Sequence, residues 1–164
     1  MLTQSQIDFY HTFGFLQIHH YFTEDELAII NAEFETGMAI AETIDKPRND
    51  NEHLKWSTLG PESPFLRSLQ EDTRFLGVAE QIYGADTVGV FCKSNRFSGN
   101  ATAWHPDVEN VHFQGIKFLF YLQSIDGDSG ALRVIPGSHK NPLHDSLLAI
   151  KLRGPDSPYL KASG

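Results

Sequence analysis

Residues 111–140 read VHFQGIKFLFYLQSIDGDSGALRVIPGSHK and contain the pattern that decides the fold class. The first part is rich in β-branched and aromatic side chains, and residues 116–123 alternate as a strand with two different faces does. Residues 126–130 are a dense turn signal, and a second apolar segment follows at residues 131–135 before Pro-Gly-Ser at 136–138 ends it. This stretch predicts two sheet strands joined by a turn.

Helices are predicted upstream of these strands. Residues 3–6 and 23–26 both have the spacing of a capping box, and each is followed by apolar residues at helical intervals. Asp72 is the expected N-cap of a further helix with one apolar face. Gly14 and Gly84 are expected to end the first and the last of these three helices.

The order of these elements predicts the fold class. Residues 87–93 form another β-like segment, whereas the polar stretch Glu42–Pro64 is not expected to contain an ordered element. Helices followed by strands indicate a mostly β protein, a jelly roll preceded by supporting helices. We expect one domain over residues 1–164, with helical support to about residue 84 and jelly-roll strands from about residue 85.

Composition narrows the class of ligand and the compartment. A net charge of −8 argues against a nucleic-acid partner, so a small molecule is the expected ligand. Cys92 is the single cysteine, which excludes an internal disulfide and favours the cytoplasm. The sequence shows no export signal and no apolar segment of membrane-spanning length, and it does not indicate an oligomeric state.

The segment Trp104-His105-Pro106-Asp107 is the strongest candidate for chemistry. On an extended backbone, residues two apart project to the same side, so the imidazole of His105 and the carboxylate of Asp107 could reach one metal ion. Such a pair supplies two of the three ligands in the facial triad of iron(II) oxygenases. A lone His-x-Asp also occurs by chance, and the alternative is a surface loop or a salt bridge at a strand end.

Three blocks together resemble the phytanoyl-CoA dioxygenase family. They are the N-terminal block with residues 3–9 and 14–16, the Trp-His-Pro-Asp segment at 104–107, and GALRVIPGSHK at residues 130–140. The blocks occur in the family's order over essentially the whole chain. The resemblance implies a double-stranded β-helix fold, which is cupin-like, and oxidation of a C–H bond with iron(II), 2-oxoglutarate and dioxygen.

The resemblance assigns roles to individual residues. His105 and Asp107 correspond to the family's first two iron ligands, and the intact carboxylate at 107 favours hydroxylation over halogenation. Lys93 lies on the strand where the family often places a residue facing the cosubstrate, so it is a candidate 2-oxoglutarate-binding residue. The alternative for Lys93 is a solvated lysine at a strand edge.

Two parts of the family's site are not found in the sequence. His139 and His144 are not expected to be the distal ligand, because the family's Pro-Gly-Ser-His histidine is a turn residue, and Arg133 precedes the position of the cosubstrate arginine. We expect the distal histidine and this arginine to lie beyond Gly164, so that residues 1–164 are the N-terminal portion of a longer enzyme and are inactive alone.

The rival function is a non-catalytic cupin-like binding protein, or an inactive fragment of such an enzyme. A zinc hydrolase on the same two ligands lacks support, because Glu109 is the one obvious general base nearby.

Overall fold

The structure, a computed structural model, describes residues 1–44, 53–84, 86–97, 104–107 and 115–151. In this part of the chain the elements are, in order, α1 (Gln4–Phe13), α2 (Glu24–Ile44), β1 (Leu54–Ser57), α3 (Pro64–Ser68), α4 (Thr73–Tyr83), β2 (Lys93–Arg96) and α5 (Leu143–Lys151). None of these helices combines the length and the apolar character that crossing a membrane requires.

The chain divides into two compact units. The first unit comprises Met1, Ile18–Ala101 and Phe118–Ser124, and the second comprises Leu2–Gln17, Thr102–Lys117 and Ile125–Gly164. The first unit contains α2, α3, α4 and both strands, whereas the second contains α1 and α5. That residues 1–164 form one domain stays a prediction.

The predicted capping boxes are both present. The Thr3 backbone N–H donates to the Gln6 side chain at 2.9 Å, and the Gln6 N–H donates to the Thr3 hydroxyl at 3.3 Å. The same reciprocal pair joins Thr23 and Glu26 at the start of α2, at 2.9 and 3.2 Å. Each box satisfies backbone donors that the first turn of a helix leaves open, which is why these two helices begin where the sequence predicts.

The predicted helix ends are also confirmed. Gly14 follows α1 with φ 82° and Gly84 follows α4 with φ 69°, a left-handed conformation that glycine adopts without a steric penalty. At the start of α4 the Asp72 carboxylate accepts from the Arg74 N–H at 2.8 Å. The helix buries the face that its apolar spacing predicts, namely Phe75, Val78, Ala79 and Ile82.

Two clusters of buried side chains are seen in the described residues of the first unit. Ile30, Leu66, Leu69 and Phe75 form one cluster, with aromatic rings that include Phe22 packed against it. The second cluster contains Met38, Ala41 and Leu54, with Phe34 and Trp56 packed against it. Because α2 supplies Ile30 to one cluster and Met38 to the other, this helix connects both parts of the core.

The first unit has a small sheet that the sequence analysis did not predict. β1 and β2 pair antiparallel, with Leu54 opposite Arg96 and Ser57 opposite Lys93. β1, the start of α3 and the end of α2 all lie within Glu42–Pro64, so the expectation that this stretch contains no ordered element was wrong. A polar composition does not prevent a short strand where a neighbouring backbone is available for pairing.

The predicted long strands are not formed in the described residues. Of residues 87–93 only Lys93 belongs to a strand, and residues 115–125 and 131–135 are irregular. A strand requires a neighbouring backbone to satisfy its N–H and C=O groups, and in the described part of the chain β1 and β2 form the one ladder. The predicted turn is present, since the Ala131 N–H donates to the Asp126 carbonyl at 2.9 Å.

The predicted fold class, mostly β, is therefore corrected in part. Helices rather than strands are the main regular structure of the described residues, so the predicted mostly β character does not hold for them. Helices are present before residue 84, whereas their supporting role and the jelly roll stay predictions.

Arg74 joins the N-termini of α2 and α4 through two carboxylates. Its Nη2 lies 2.7 Å from Glu26 Oε1 and 2.6 Å from Asp72 Oδ2. Hydrogen bonds from this guanidinium hold the pKa of Asp72 and of Glu26 below their ordinary values. Because the folded pKa of Asp72 is depressed, its contribution to stability is present above the unfolded pKa, about 4, and is lost as the pH falls through the folded pKa.

We therefore predict that Asp72→Ala lowers the free energy of unfolding at pH 7 by about 1 kcal/mol, the usual cost of losing an N-cap. The difference from wild type should shrink as the pH falls below about 4. Asp72→Asn is the matched control, because it keeps a capping oxygen but has no charge. Urea unfolding at several pH values measures this, and a difference for Asp72→Ala that stays constant across the range would contradict the role of the charge.

Gly37 of α2 lies directly against the Trp56 ring of β1. A Cβ added at this position would overlap the indole ring of Trp56. Alanine normally stabilises a helix by about 1 kcal/mol relative to glycine, whereas overpacking a core costs about 1–3 kcal/mol. The indole ring packs against the buried Met38 cluster, so the steric cost should exceed the gain in helix propensity.

Gly37→Ala is thus expected to lower the midpoint of thermal unfolding, against the trend for glycine-to-alanine changes in helices. Gly127→Ala is the control, because a Cβ added at Gly127 would meet no atom within 4 Å. Differential scanning calorimetry of both variants provides the measurement. An unchanged or raised midpoint for Gly37→Ala would show that the ring moves aside without cost.

Candidate metal centre

The structure brings His105 and Asp107 together in the second unit. His105 Nε2 lies 3.9 Å from Asp107 Oδ1, and the two side chains are 46% and 56% exposed. The separation of two positions along the chain therefore places both side chains on one side, as the sequence predicts. Their exposure leaves the pair accessible from solvent.

A third residue, Lys117, contacts this pair. Its Nζ donates a hydrogen bond to Asp107 Oδ1 at 2.9 Å, and its side chain is 49% exposed. The alternation of residues 116–123 predicts a strand at Lys117 but no functional role for its side chain. In the sequence, Lys117 stands out as a lone positive charge in the first apolar segment after the candidate ligands. The sequence alone does not show which carboxylate this lysine contacts.

The donor set of His105 and Asp107 is compatible with one divalent ion. Two donors that each lie about 2.1 Å from one ion can be at most about 4.2 Å apart, and the observed 3.9 Å is inside that limit. Neighbouring donors on an octahedral ion are about 3.0 Å apart, so the side chains would have to approach by about 1 Å. An imidazole with a carboxylate is a donor set that suits iron(II).

Further ligands are not found among the described residues. Within the ranges that the structure describes, no group of three or more His, Cys, Asp or Glu side chains could hold a metal ion. Glu109, the candidate general base of the zinc alternative, lies outside those ranges. The described part of the candidate centre therefore consists of two ligands and one lysine.

Lys93 lies in the first unit and begins β2. Its side chain is exposed, and its Nζ lies 5.5 Å from the centroid of the Phe91 ring. This position agrees with the solvated strand-edge lysine that was the alternative. Binding of 2-oxoglutarate by Lys93 stays a prediction.

His139 and the turn that contains it dock on the end of α1. The Gly137 N–H donates to the Phe13 carbonyl at 2.9 Å, and His139 Nε2 lies 3.3 Å from the His11 carbonyl oxygen. The imidazole packs so closely over Gly14 that an added Cβ would overlap the ring. As expected from the sequence, His139 is a turn residue.

His144 is buried in α5, with its Nδ1 3.3 Å from Asp145 Oδ1. Arg133, the other residue set aside in the sequence analysis, is exposed. Neither belongs to a metal-binding group in the described part of the chain.

A groove of about 610 Å³ lies within the first unit. Its lining includes Leu59, Pro64, Arg67, Leu76 and Val88. None of the site residues predicted from the sequence lines this groove.

Burial lowers the pKa of His139, and the neighbouring Lys140 acts in the same direction. A histidine whose pKa is depressed in the folded state contributes stability above its unfolded pKa, about 6.5, and loses it as the pH falls through the folded pKa. We predict that wild type loses stability between pH 7 and pH 5 partly through this residue.

The test is His139→Gln, which keeps a side-chain donor but does not titrate. At pH 7 the variant should lose about 1 kcal/mol of unfolding free energy through the altered hydrogen bond. The gap between wild type and variant should narrow towards pH 5. Urea denaturation at each pH measures both, and a gap that widens on acidification would contradict the burial of a neutral ring.

Comparison with known proteins gives a family and several relatives. The family model for phytanoyl-CoA dioxygenase (PhyH) matches residues 10–154. Proteins named ectoine dioxygenase from Bordetella parapertussis and Bordetella bronchiseptica are each 28% identical over 155 residues, covering 85% of this chain and 50% of the relative. The ectoine dioxygenase of Streptomyces avermitilis is 27% identical over 167 residues, covering 85% of this chain and 52% of the relative.

The chain spans about half the length of the curated relatives it matches. No solved structure matches the chain significantly.

Proposed function

The chain belongs to the phytanoyl-CoA dioxygenase family, and from this membership we propose that the complete protein is an iron(II)- and 2-oxoglutarate-dependent dioxygenase that hydroxylates a small organic molecule. The observation that carries the proposal is the pairing of His105 Nε2 with Asp107 Oδ1 at 3.9 Å, in the segment where the family resemblance expects two iron ligands. Relatives named as dioxygenases support oxygenase chemistry.

In this proposal His105 and Asp107 bind the metal. His105 binds through Nε2 with a neutral ring, and Asp107 contributes an anionic oxygen that partly neutralises the ion. Two protein ligands leave coordination positions for a third ligand and for the cosubstrates. We propose that the third ligand comes from outside the described residues.

Bound iron(II) would supply the activation of dioxygen coupled to oxidative decarboxylation of 2-oxoglutarate. The residues of the chain bind and orient the reactants and limit the access of water. Asp107 also bears on the type of reaction, because a carboxylate at this position occupies the place that a halide would need. We therefore propose hydroxylation rather than halogenation.

The cosubstrate is a dicarboxylate, which a lysine ammonium can attract. We propose Lys93 as a 2-oxoglutarate contact, on the basis of its position in the family resemblance and its exposed ammonium group. The complete protein is proposed to form the cupin-like jelly roll. Ectoine is the first substrate to test, because the relatives carry that name.

The experiment measures consumption of 2-oxoglutarate by the full-length gene product, with iron(II), ascorbate and ectoine or other small molecules. His105→Ala and Asp107→Ala should each reduce turnover at least about a hundredfold, since even outer-shell changes at metal sites cost 10- to 100-fold. His19→Ala and Asp86→Asn are matched controls, because both residues are exposed and neither is assigned a role in the site.

The outcomes separate the candidate functions. Turnover that persists after either ligand change would refute the assigned metal site. Binding of a small molecule without consumption of 2-oxoglutarate would favour the non-catalytic binding protein. Consumption of 2-oxoglutarate in the presence of ectoine, without a hydroxylated ectoine product, would support the enzyme class and exclude ectoine as the substrate.

A further inference from the structure

Lys117 places a positive charge on one particular oxygen of the candidate metal centre. Its ammonium group lies 2.9 Å from Asp107 Oδ1, and the same oxygen lies 3.9 Å from His105 Nε2. Asp107 Oδ1 therefore contacts the ammonium and is also the oxygen that lies near His105, where a shared ion would bind. The lysine already occupies a lone-pair direction of that oxygen.

We propose that Lys117 is a built-in counter-ion that competes with a divalent cation for Asp107. This inference rests on the proposed function, because it concerns the same two ligands. Before metal binds, the ammonium neutralises the carboxylate and holds it in place. When a metal ion binds through Oδ1, the ammonium gives up this contact, so the affinity for the ion is reduced by the cost of breaking it.

The choice of oxygen distinguishes competition from support. A side chain that orients a metal-binding carboxylate ordinarily contacts the oxygen that faces away from the ion. Lys117 instead contacts Oδ1, the oxygen that faces His105. The two roles predict opposite results: removing a competing cation tightens metal binding, whereas removing an orienting partner weakens it.

The side chains make the exchange feasible. Lys117 is 49% exposed, so its flexible stem can move the ammonium into water without entering the core. After the exchange the ammonium stays on the same side chain and repels the bound ion. Water screens this repulsion because Asp107 is 56% exposed, so the expected effect is modest, about five- to tenfold in affinity.

The experiment titrates the full-length gene product with Mn²⁺ and follows the electron paramagnetic resonance signal of the free ion. Lys117→Met and Lys117→Gln should each lower the Kd for Mn²⁺ by about five- to tenfold, because both remove the positive charge. Lys117→Arg keeps the charge and should stay within about twofold of wild type. Circular dichroism of each variant checks that it folds.

Two further sets of variants locate the effect. Lys55→Met removes a lysine from the exposed side of β1 and should leave the Kd unchanged. His105→Ala and Asp107→Asn should abolish the binding, alone or combined with Lys117→Met. The gain from Lys117→Met should also shrink at high salt, since exposed charges are screened.

The possible results separate this inference from the proposed function. If wild type binds Mn²⁺ through His105 and Asp107 but Lys117→Met binds equally or more weakly, the counter-ion role is overturned and the metal site stands. If neither wild type nor Lys117→Met binds Mn²⁺, both proposals are overturned. Tighter binding by Lys117→Met that persists after Asp107→Asn would also overturn competition for this carboxylate.

Discussion

The first unit depends on the packing of the long helix α2, which contacts β1, β2 and α3. Gly37 lets the helix backbone approach the Trp56 ring of β1. The Glu33 carboxylate accepts hydrogen bonds from the N–H groups of Phe65 and Leu66, at 2.9 and 2.8 Å. One face of α2 therefore positions the sheet and caps α3. Arg96 of β2 extends towards the same helix, where its guanidinium pairs with two glutamates and lies 5.4 Å from the Phe34 ring centroid. The two short strands are therefore held by a helix rather than by a larger sheet.

The parts of the fold that were predictable are those decided within a few residues. The capping boxes, the Asp72 N-cap and the glycine at the end of α4 follow from local backbone groups and local side chains, so the sequence predicts them correctly. Strands are different, because alternation of apolar residues indicates what a strand would bury but not which backbone it pairs with. Residues 116–123 have the pattern and pair with no strand in the described part of the chain, whereas β1, within a largely polar stretch, pairs with β2.

The candidate site likewise contains one contact that is decided locally and one that depends on a distant part of the chain. The separation of His105 and Asp107 in sequence is enough to predict that they approach each other, whereas the contact from Lys117 depends on how residues outside the motif return to it. The block at residues 130–140 illustrates a second limit. Its pattern is specific enough to indicate the family, yet in this structure His139 contacts the end of a helix rather than a candidate ligand. A motif can thus identify an enzyme family through residues that stabilise the fold.

The docking of His139 on α1 has a consequence for the order of events during translation. The hydrogen bond to His11 joins residues 128 positions apart, and a ribosome adds about 5–20 residues each second, so α1 is made on the order of ten seconds before its partner turn. An isolated helix of ten residues is marginal in water. Its aromatic face, with the Phe9 and Phe13 rings 4.6 Å apart, is consequently available to chaperones throughout that interval.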